Sequence, residues 1–543
     1  MLARRLSFSA ASSAQFIKGH SIHKVFPVGS TSRNYGMAAS GSKSADGNAD
    51  NVAKLAGCDW SCPELRGFME DMHRLAVDGA LTAGTDRAKP VISFRQPEEL
   101  KASLDLEIGT APADRKKLVD ACSQIAQYSV KTYHPHFFNQ LYSGLSGYGV
   151  AGSWLTDALN TNIHTYEVSP AFVLLEQYLM QKICGIVGYP DGDGIFCPGG
   201  SMVNIMAMNL ARYRKCPEFK THGMYAMKHL KYYTSEEAHY SLSKGAMLLG
   251  LGTDCVVKVN TDSRGKMRPD DLRNKIQQDL EQGALPTFVM ATSGTTVLGA
   301  YDNLADIADV CQELDVWLHC DACWGGGALL SPSLKYLMDG IHRTDSMAWN
   351  FHKMSAAPLQ CSVLVLKQKG LLEDCNRFRA EYLFQPDKNY NTEYDIGDKT
   401  VQCGRKVDAL KLWVMWRAIG DAGMAAITDN CFRNARYLAE RMAKTDSFRL
   451  VIPEFECGNV CFWYIPPSMR GEEETPDWWN QLAKVAPAIK ARMMEQGTMM
   501  IGYNPLTCKG LVNFFRIIVA NPSCTTADMD FVIHEIERLG RDL

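Results

Sequence analysis

The chain has 543 residues, with 57 Lys and Arg against 60 Asp and Glu, so its formal net charge is −3. Its length and its 46% of hydrophobic residues allow several compact domains and exclude both a small disulfide scaffold and general disorder. The near-neutral charge lacks the basic footprint of nucleic-acid binders, and no stretch is long and apolar enough to cross a bilayer. We therefore expect a small-molecule partner, with no nucleic acid and no membrane.

The N-terminal segment differs from the rest of the chain. It is rich in Ser, Ala, Lys and Arg and contains no acidic residue before Asp46. This composition is typical of a mitochondrial transit peptide, and it equally fits a disordered leader upstream of a second start at Met37. We predict that residues 1–55 form a disordered leader or targeting segment. We expect a cytoplasmic protein, with the mitochondrial matrix as the alternative.

Residues 56–114 begin with a helical pattern. Apolar residues recur at three- and four-residue spacing from Leu65 to Leu75, which predicts a helix that ends near Gly79. We interpret this segment as an N-terminal arm.

Residues 115–407 alternate helical stretches with short β-rich runs. The predicted strands are 231–233, 255–259, 287–291, 316–319, 346–350 and 362–366. Strands at this spacing, with helices between them, predict an α/β domain with a mostly parallel central sheet flanked by helices. Ligands bind beyond the carboxyl ends of such strands.

The last part of the chain has a different pattern. A long helical stretch begins near residue 408, shorter strands are predicted at 449–452, 460–464 and 514–519, and helices are predicted around 485–496 and 526–540. This order predicts a smaller α+β C-terminal domain over residues 408–543.

The 18 cysteines follow no repeated spacing, which is typical of reduced cysteines in an intracellular protein. One CxxC pair exists, Cys320 and Cys323, and no second pair is present to complete a zinc site;. We interpret this pair as accidental and predict no metal ion.

Four chemically distinctive segments fall at strand ends of the predicted large sheet. They are Gly199-Gly200-Ser201, Glu237-Ala238-His239, Asp321-Ala322-Cys323 and Asn350-Phe351-His352-Lys353. A lysine can form an imine with an aldehyde, and a buried carboxylate can hold a protonated ring nitrogen. A Gly-Gly-Ser turn that opens a helix offers N–H groups to a phosphate, and an imidazole can stack on a flat ring. Together they predict pyridoxal 5'-phosphate.

Each segment alone has an ordinary structural explanation. An Asp after a strand usually caps a helix, a strand-end lysine is usually solvated, and Gly-Gly-Ser is usually a turn. The order and spacing of all four segments in one α/β chain favour a cofactor site.

Longer motifs carry a family resemblance from about residue 60 to the C-terminus. They lie at 136–141, 193–201, 292–296, 382–388 and 514–516. On these motifs the chain resembles the group II pyridoxal-phosphate-dependent amino-acid decarboxylases, in the branch of the glutamate, cysteine sulfinate and insect-type aspartate decarboxylases. The resemblance implies a type I aminotransferase-like fold, a carboxy-lyase and an obligate homodimer with shared active sites.

The resemblance also implies roles for the strand-end residues. Lys353 would hold the cofactor, Asp321 would bind its ring nitrogen and His239 would stack on its ring. Four residues would hold the phosphate: Gly200, Ser201, Asn350 and His352.

On the substrate side, Arg516 would anchor the α-carboxylate and Gln140 would lie near it. Tyr382 falls in a loop whose tyrosine would protonate the substrate carbon, from the neighbouring subunit.

Two positions depart from the family pattern. Phe351 stands where relatives usually have proline, which alters the backbone rigidity before Lys353. Cys323 stands where relatives usually have alanine, and its larger side chain would face the cofactor ring. Neither change alters the reacting groups.

The substrate side chain is predicted from three further positions. Tyr142 stands where glutamate enzymes carry a small hydroxyl residue and cysteine sulfinate enzymes a bulky aromatic one, so a filled pocket favours an acid shorter than glutamate. Asn162 resembles the glutamate enzymes. His164 resembles the insect-type aspartate enzymes and could donate to a distal carboxylate, although a core histidine is the alternative interpretation.

These residues predict decarboxylation of aspartate to β-alanine and of cysteine sulfinate to hypotaurine. A glutamate decarboxylase that forms GABA is the alternative. A catalytically silent cofactor-binding homologue is disfavoured, because it has no chemical need to retain Lys353, Asp321 and Tyr382. An aromatic-amino-acid oxidative decarboxylase is disfavoured because its loop usually lacks the tyrosine.

Overall fold

The computed structural model describes residues 56–226 and 229–543. The predicted leader, residues 1–55, lies outside the described residues. The chain divides into two compact units, with the boundary between Arg66 and Gly67. The predicted arm, large domain and small domain, at 56–114, 115–407 and 408–543, stay a prediction. In the described part of the chain, no helix combines the length and apolarity that a membrane crossing requires.

The α-helices of the described residues are α1 (Pro63–Arg74), α2 (Pro97–Ser103), α3 (Arg115–Tyr128), α4 (Gly147–Leu159), α5 (Pro170–Val187), α6 (Gly200–Lys215), α7 (Phe219–His222), α8 (Ser241–Leu248), α9 (Pro269–Glu281), α10 (Leu304–Glu313), α11 (Leu371–Asn376), α12 (Ala409–Met442), α13 (Pro476–Gln496) and α14 (Thr526–Gly540). A π-helical segment, Leu75–Thr82, follows α1, so the helical stretch predicted to end near Gly79 runs slightly further. Within α12 two helices meet at Gly420, whose φ of 67° is not helical;.

The strands form two sheets. Their bounds are β1 (Phe137–Phe138), β2 (Asp193–Cys197), β3 (Leu230–Ser235), β4 (Val256–Val259), β5 (Leu285–Thr292), β6 (Trp317–Asp321), β7 (Ser346–Asn350), β8 (Ser362–Leu366), β9 (Phe448–Leu450), β10 (Asn459–Tyr464), β11 (Met500–Leu506) and β12 (Leu511–Ile518). The larger sheet has the order β2-β8-β7-β6-β5-β3-β4 and the smaller one β1-β11-β12-β10-β9. In the larger sheet β8 alone runs against the other strands, so the predicted mostly parallel sheet is confirmed.

Helices cover both faces of the larger sheet. Every residue of β6, β7 and β8 is buried, which is the pattern of a sheet enclosed on two sides. Successive side chains of a strand point to opposite faces. Phe288 and Met290 of β5 therefore pack in one hydrophobic cluster with α6 and α8, whereas Val289 and Ala291 pack in another with α5, α10 and α12.

All six strands predicted between residues 231 and 366 are present. One boundary matters for function: β6 runs to Asp321, so this carboxylate ends a strand and does not lie in the following loop. The sequence predicts neither β1, β2 nor β11. β11 contains Gly502, Asn504 and Pro505, which are weak strand formers, and it forms through its pairing with β1 and β12.

A buried carboxylate at the start of α14 stabilises this last helix against the preceding parts of the fold. Asp528 in the first turn of α14 accepts hydrogen bonds from Arg87 Nε at 2.6 Å and from the His136 ring at 3.2 Å. Its side chain is only 2% exposed. Burial alone would raise the pKa of Asp528, but the hydrogen bonds from Arg87, His136 and Thr525 outweigh it and hold the pKa well below its ordinary value.

Asp528→Asn should therefore lower the free energy of unfolding by about 2–3 kcal/mol, less than for a fully buried pair because Arg87 is half exposed. The contribution of the carboxylate is complete above the ordinary aspartate pKa, near pH 4, starts to fall below it, and is lost only as the pH falls through the lowered pKa of the folded state;. Urea unfolding at pH 7 should separate parent and variant, and the difference should shrink steadily as the pH is lowered below about 4. Asp542→Asn is the control, since that carboxylate is 70% exposed beside Arg492; equal losses in both variants would contradict this role of Asp528.

Candidate active site

Strand ends converge on a cavity of about 200 Å³ at one edge of the larger sheet. Its lining includes seven of the residues predicted from the sequence: Gly200, Ser201, His239, Asp321, Cys323, Asn350 and Lys353. Because β2, β3, β6 and β7 run in the same direction, the residues that end or follow them meet at the same edge. The structure thus brings together groups that lie far apart in the sequence.

The start of α6 forms a cradle for an anion. Gly199 has a φ of 92°, a conformation that favours glycine, and it turns the chain from β2 into α6;. A Cβ on Gly200 would overlap Cys323 Sγ and would lie 2.9 Å from Asn350 Nδ2, so only glycine lets the start of α6 approach these two side chains so closely. The first N–H groups of a helix lack intrahelical partners and the helix dipole favours negative charge. This end of the cavity therefore suits a phosphate.

Asp321 provides a buried negative charge. Its Oδ2 accepts from Asn204 Nδ2 at 2.8 Å and its Oδ1 accepts from the Cys323 N–H at 3.1 Å. Burial alone would raise the pKa of Asp321, but the Lys353 ammonium and the hydrogen bonds from Asn204 and Cys323 outweigh it and hold the pKa below its ordinary value. The carboxylate is thus ready to bind a protonated ring nitrogen.

His239 provides a neutral ring. Its Nδ1 accepts the Ser241 N–H at 3.2 Å, which leaves the other ring nitrogen to carry the proton. Burial lowers the pKa of His239, and the Lys353 charge adds to this effect against the opposing charge of Asp321. A neutral imidazole can stack on a cationic ring without charge repulsion.

The segment around Lys353 is held by packing and by hydrogen bonds, among them one from the Phe351 N–H to the Cys361 carbonyl at 2.9 Å. Phe351 is fully buried and stacks on Trp349 with ring centroids 4.4 Å apart. His352 lies outside the cavity lining; its Nδ1 accepts the Cys361 N–H at 3.0 Å, and burial lowers its pKa to about 4. Aromatic packing thus holds the backbone just before Lys353.

Arg516 lies beside the cavity. Its Nη1 donates to the carbonyl of Thr296, a lining residue, at 3.2 Å, and its Nη2 donates to the carbonyl of Asn139 at 3.1 Å. Its Nε is buried without a partner, burial lowers its pKa, and no ion pair to it occurs within 56–226 and 229–543. An unpaired, partly buried guanidinium suits a carboxylate ligand.

The predicted residues Gln140 and Tyr142 do not line the cavity. Gln140 is exposed and Tyr142 is half-buried, with its ring 6.5 Å from that of Phe137. Both follow Asn139, whose carbonyl accepts from Arg516. The hydrogen bond therefore places this segment next to the guanidinium.

Three further predicted residues lie away from Lys353. Tyr382 is 78% exposed and lines a separate groove of about 560 Å³ together with His164. The His164 ring packs 5.3 Å from Phe384, burial lowers its pKa, and its Nε2 has no partner in the described structure. Both ends of the Asn162 amide are used within the chain, by the N–H of Arg405 at 2.8 Å and the carbonyl of Cys403 at 3.3 Å.

Several residues that line the cavity are not among the site residues predicted from the sequence, among them Asn204, Thr296 and Trp324. Asn204 has a detectable signal, because it is a polar residue on the buried face of α6 between Val203 and Met206. Thr296 belongs to a motif that the sequence analysis uses only for the family resemblance. The indole N–H of Trp324 donates to Asn459 Oδ1 at 2.7 Å, and no local sequence pattern predicts this contact.

The site has the groups that pyridoxal 5'-phosphate requires. A strand-end lysine, an anionic carboxylate, a neutral imidazole and a glycine-lined helix start match an aldehyde, a ring nitrogen, a flat ring and a phosphate. Among the described residues Asn350 Oδ1 is buried without a partner, and Asn350 lines the same cavity as Gly200, Asp321 and Lys353, so the residues present fit the cofactor. Fold and site together define a pyridoxal-phosphate enzyme of fold type I.

Comparison with known proteins gives the family. Residues 97–465 match the pyridoxal-dependent decarboxylase conserved domain. The cysteine sulfinic acid decarboxylase of Homo sapiens is 52% identical over 481 residues, which are 88% of this chain and 97% of that protein. The acidic amino acid decarboxylase GADL1 of Xenopus tropicalis is 48% identical over 477 residues, which are 88% and 93% of the two chains. The crystal structure of mouse CSAD matches with a TM-score of 0.85 at 49% identity, covering 88% of this chain and 99% of that one.

The chain belongs to the pyridoxal-dependent decarboxylase family. It is a carboxy-lyase that uses pyridoxal 5'-phosphate, so the predicted enzyme class, fold class and cofactor are confirmed.

Proposed function

We propose that the protein removes the α-carboxylate of a short acidic amino acid, converting L-aspartate to β-alanine and cysteine sulfinate to hypotaurine. The observation that carries this proposal is the unpaired guanidinium of Arg516 beside the Lys353 cavity. Two relatives, named for cysteine sulfinic acid and for acidic amino acids, support an acidic substrate. Glutamate decarboxylation remains the alternative, and it differs only by one methylene in the substrate.

Each site residue has a separate task in this reaction. Bound pyridoxal phosphate supplies an aldehyde that condenses with amines and a ring that accepts electrons from the bond that breaks. Lys353 offers the amine that holds the cofactor, and Asp321 holds a proton at the ring nitrogen. Arg516 binds the α-carboxylate, which leaves as carbon dioxide. A proton from the Tyr382 phenol then takes its place on the substrate carbon.

We propose that the enzyme is a homodimer with shared active sites. Within one chain Tyr382 and Lys353 line different cavities. We therefore infer that the Tyr382 phenol of a second copy reaches the Lys353 site. Large apolar side chains are exposed on α4 and α5: Tyr148, Trp154, Leu155, Leu159, Leu174 and Tyr178. An exposed apolar surface of this kind is typical of a subunit interface.

We also propose a cytoplasmic location. The free thiols of the cysteines support a reducing compartment. The mitochondrial matrix is the alternative, and subcellular fractionation of the full chain would distinguish them.

Tyr142 gives a prediction about substrate length. If its phenol limits the space for the distal end of the acid, the parent should favour aspartate and cysteine sulfinate over glutamate by about 10- to 200-fold in kcat/KM, the usual effect of one methylene. Tyr142→Ser should narrow this gap, mainly through slower turnover of the short acids, whereas Tyr142→Phe preserves the volume and should keep it. Carbon dioxide release from each acid and from DOPA measures the ratios. A parent that prefers glutamate would make the alternative correct.

A further inference from the structure

A chain of hydrogen bonds runs from the sheet interior to Asp321. Trp317 Nε1 donates to Ser346 Oγ at 2.8 Å, and His319 Nδ1 lies 2.8 Å from the same oxygen. His319 Nε2 lies 3.0 Å from Asn204 Oδ1, and Asn204 Nδ2 donates to Asp321 Oδ2 at 2.8 Å. All five side chains are buried, so water cannot replace any of these partners.

The fold explains why these residues meet. Trp317, His319 and Asp321 are alternate residues of β6, so they share one face of the sheet;. His319 is the register partner of Ser346 on β7. The buried face of α6, which includes Asn204, packs against the same side of the sheet as Trp317.

The donors and acceptors follow from the two ends of the hydrogen-bond series. An indole N–H only donates, so Ser346 Oγ accepts from Trp317;. An ionised carboxylate only accepts, so the Asn204 N–H points toward Asp321 and its Oδ1 points toward His319;. Burial lowers the pKa of His319 to about 4, so the ring is neutral; its Nε2–H donates to Asn204 Oδ1, and its Nδ1 accepts the Ser346 hydroxyl proton.

We propose that His319 is a positioning residue for the cofactor, because it fixes the Asn204 amide with its N–H toward the Asp321 carboxylate that binds the ring nitrogen. A reversed amide would set its carbonyl oxygen against a carboxylate oxygen. The charged and titratable groups that face Asp321 are Lys353 and His239, with Cys323 beside it; Asn204 also donates to Ser241 Oγ at 2.8 Å. This role does not depend on which amino acid is the substrate.

The test measures cofactor affinity in place of turnover. The full-length protein is stripped of cofactor and titrated with pyridoxal 5'-phosphate, and tryptophan fluorescence and absorbance give the dissociation constant. His319→Leu should weaken binding on the order of 10- to 100-fold, the effect of losing the hydrogen bond from Asn204 to the charged Asp321 carboxylate once the amide is no longer held. His319→Gln, whose amide can still donate to Asn204, should recover most of the affinity. His134→Leu is the control, because His134 is equally buried and bonds to the carbonyl of Asp86 instead; it should bind the cofactor as the parent does.

A second variant tests the direction of the hydrogen bond between Asn204 and Asp321. Asn204→Asp keeps the size of the side chain, but its ionised carboxylate has only acceptors facing Asp321. Relative to the parent at the same pH, its cofactor affinity should fall as the pH rises through the titration of the introduced carboxyl, because only the protonated form can donate. A purely structural role would predict no such pH-dependent difference.

Two results would overturn the proposal. One is parent-like cofactor affinity in folded His319→Leu, and the other is an Asn204→Asp affinity that follows the parent at every pH. If His319→Leu does not fold, the proposal is tested by the pH dependence of cofactor affinity in Asn204→Asp and by the cofactor affinity of His319→Gln. Failure of the aspartate or cysteine sulfinate assays would leave these binding results unaffected, so the two proposals can fail separately.

Discussion

Lys353→Ala is expected to lower steady-state decarboxylation by on the order of 10³-fold or more, as removal of a covalent catalytic group does. The variant should still bind pyridoxal phosphate noncovalently, because the cradle at Gly200 and Ser201 and the Asp321 carboxylate remain. Borohydride reduction of the parent should fix the cofactor on the peptide that contains Lys353, and mass spectrometry of the digest identifies it.

Lys244→Ala is the matched control for this change. Lys244 is exposed on α8 and lies 4.6 Å from the Tyr240 ring centroid, so it is a nearby lysine outside the cavity. The Lys244→Ala variant should keep its decarboxylase activity, and borohydride should still fix the cofactor on the peptide that contains Lys353. Cofactor fixed on Lys244 or on Lys399 would contradict the assignment of Lys353.

Mixing two inactive variants should restore activity if the active sites are shared. Tyr382→Phe is expected to keep cofactor binding and to lose about 10²- to 10⁴-fold in turnover, the range for a general acid. When Lys353→Ala and Tyr382→Phe subunits exchange, each mixed dimer contains one site with an intact Lys353 and an intact Tyr382 from its partner. Statistical exchange therefore restores about one quarter of all sites, and about one half of the sites in the purified mixed dimer.

The recovered activity is measured after co-expression with two different affinity tags, which allows the mixed dimer to be purified. Tyr394→Phe serves as the control, because this tyrosine lies in the same region and packs 5.7 Å from Tyr166; it should be active alone. No recovery in the mixed dimer would show that Tyr382 acts on its own chain or does not donate the proton. Light scattering of the parent measures the dimer itself.

The sequence predicts six of the seven strands of the larger sheet because of how that sheet is buried. These strands lie between two helical layers, so they appear in the sequence as short apolar runs that can be recognised without their partners. Strand β2 is the exception. β11 is different, since Gly502, Asn504 and Pro505 become a strand only through pairing with β1 and β12. The end of β6 at Asp321 likewise depends on pairing with β5 and β7.

The cofactor and its lysine, carboxylate and imidazole could be predicted from the sequence, because each of these groups ends or follows a strand and parallel strands present their carboxyl ends at one edge. The surroundings of these groups could not. Three features depend on which distant helices and strands pack together: Asn204 and His319 support Asp321, Arg516 has no carboxylate partner among the described residues, and Tyr382 lies in a different cavity from Lys353. The sequence by itself determined the chemistry of this enzyme, and only the tertiary structure decided which side chains orient that chemistry, because orientation arises from contacts between residues far apart along the chain.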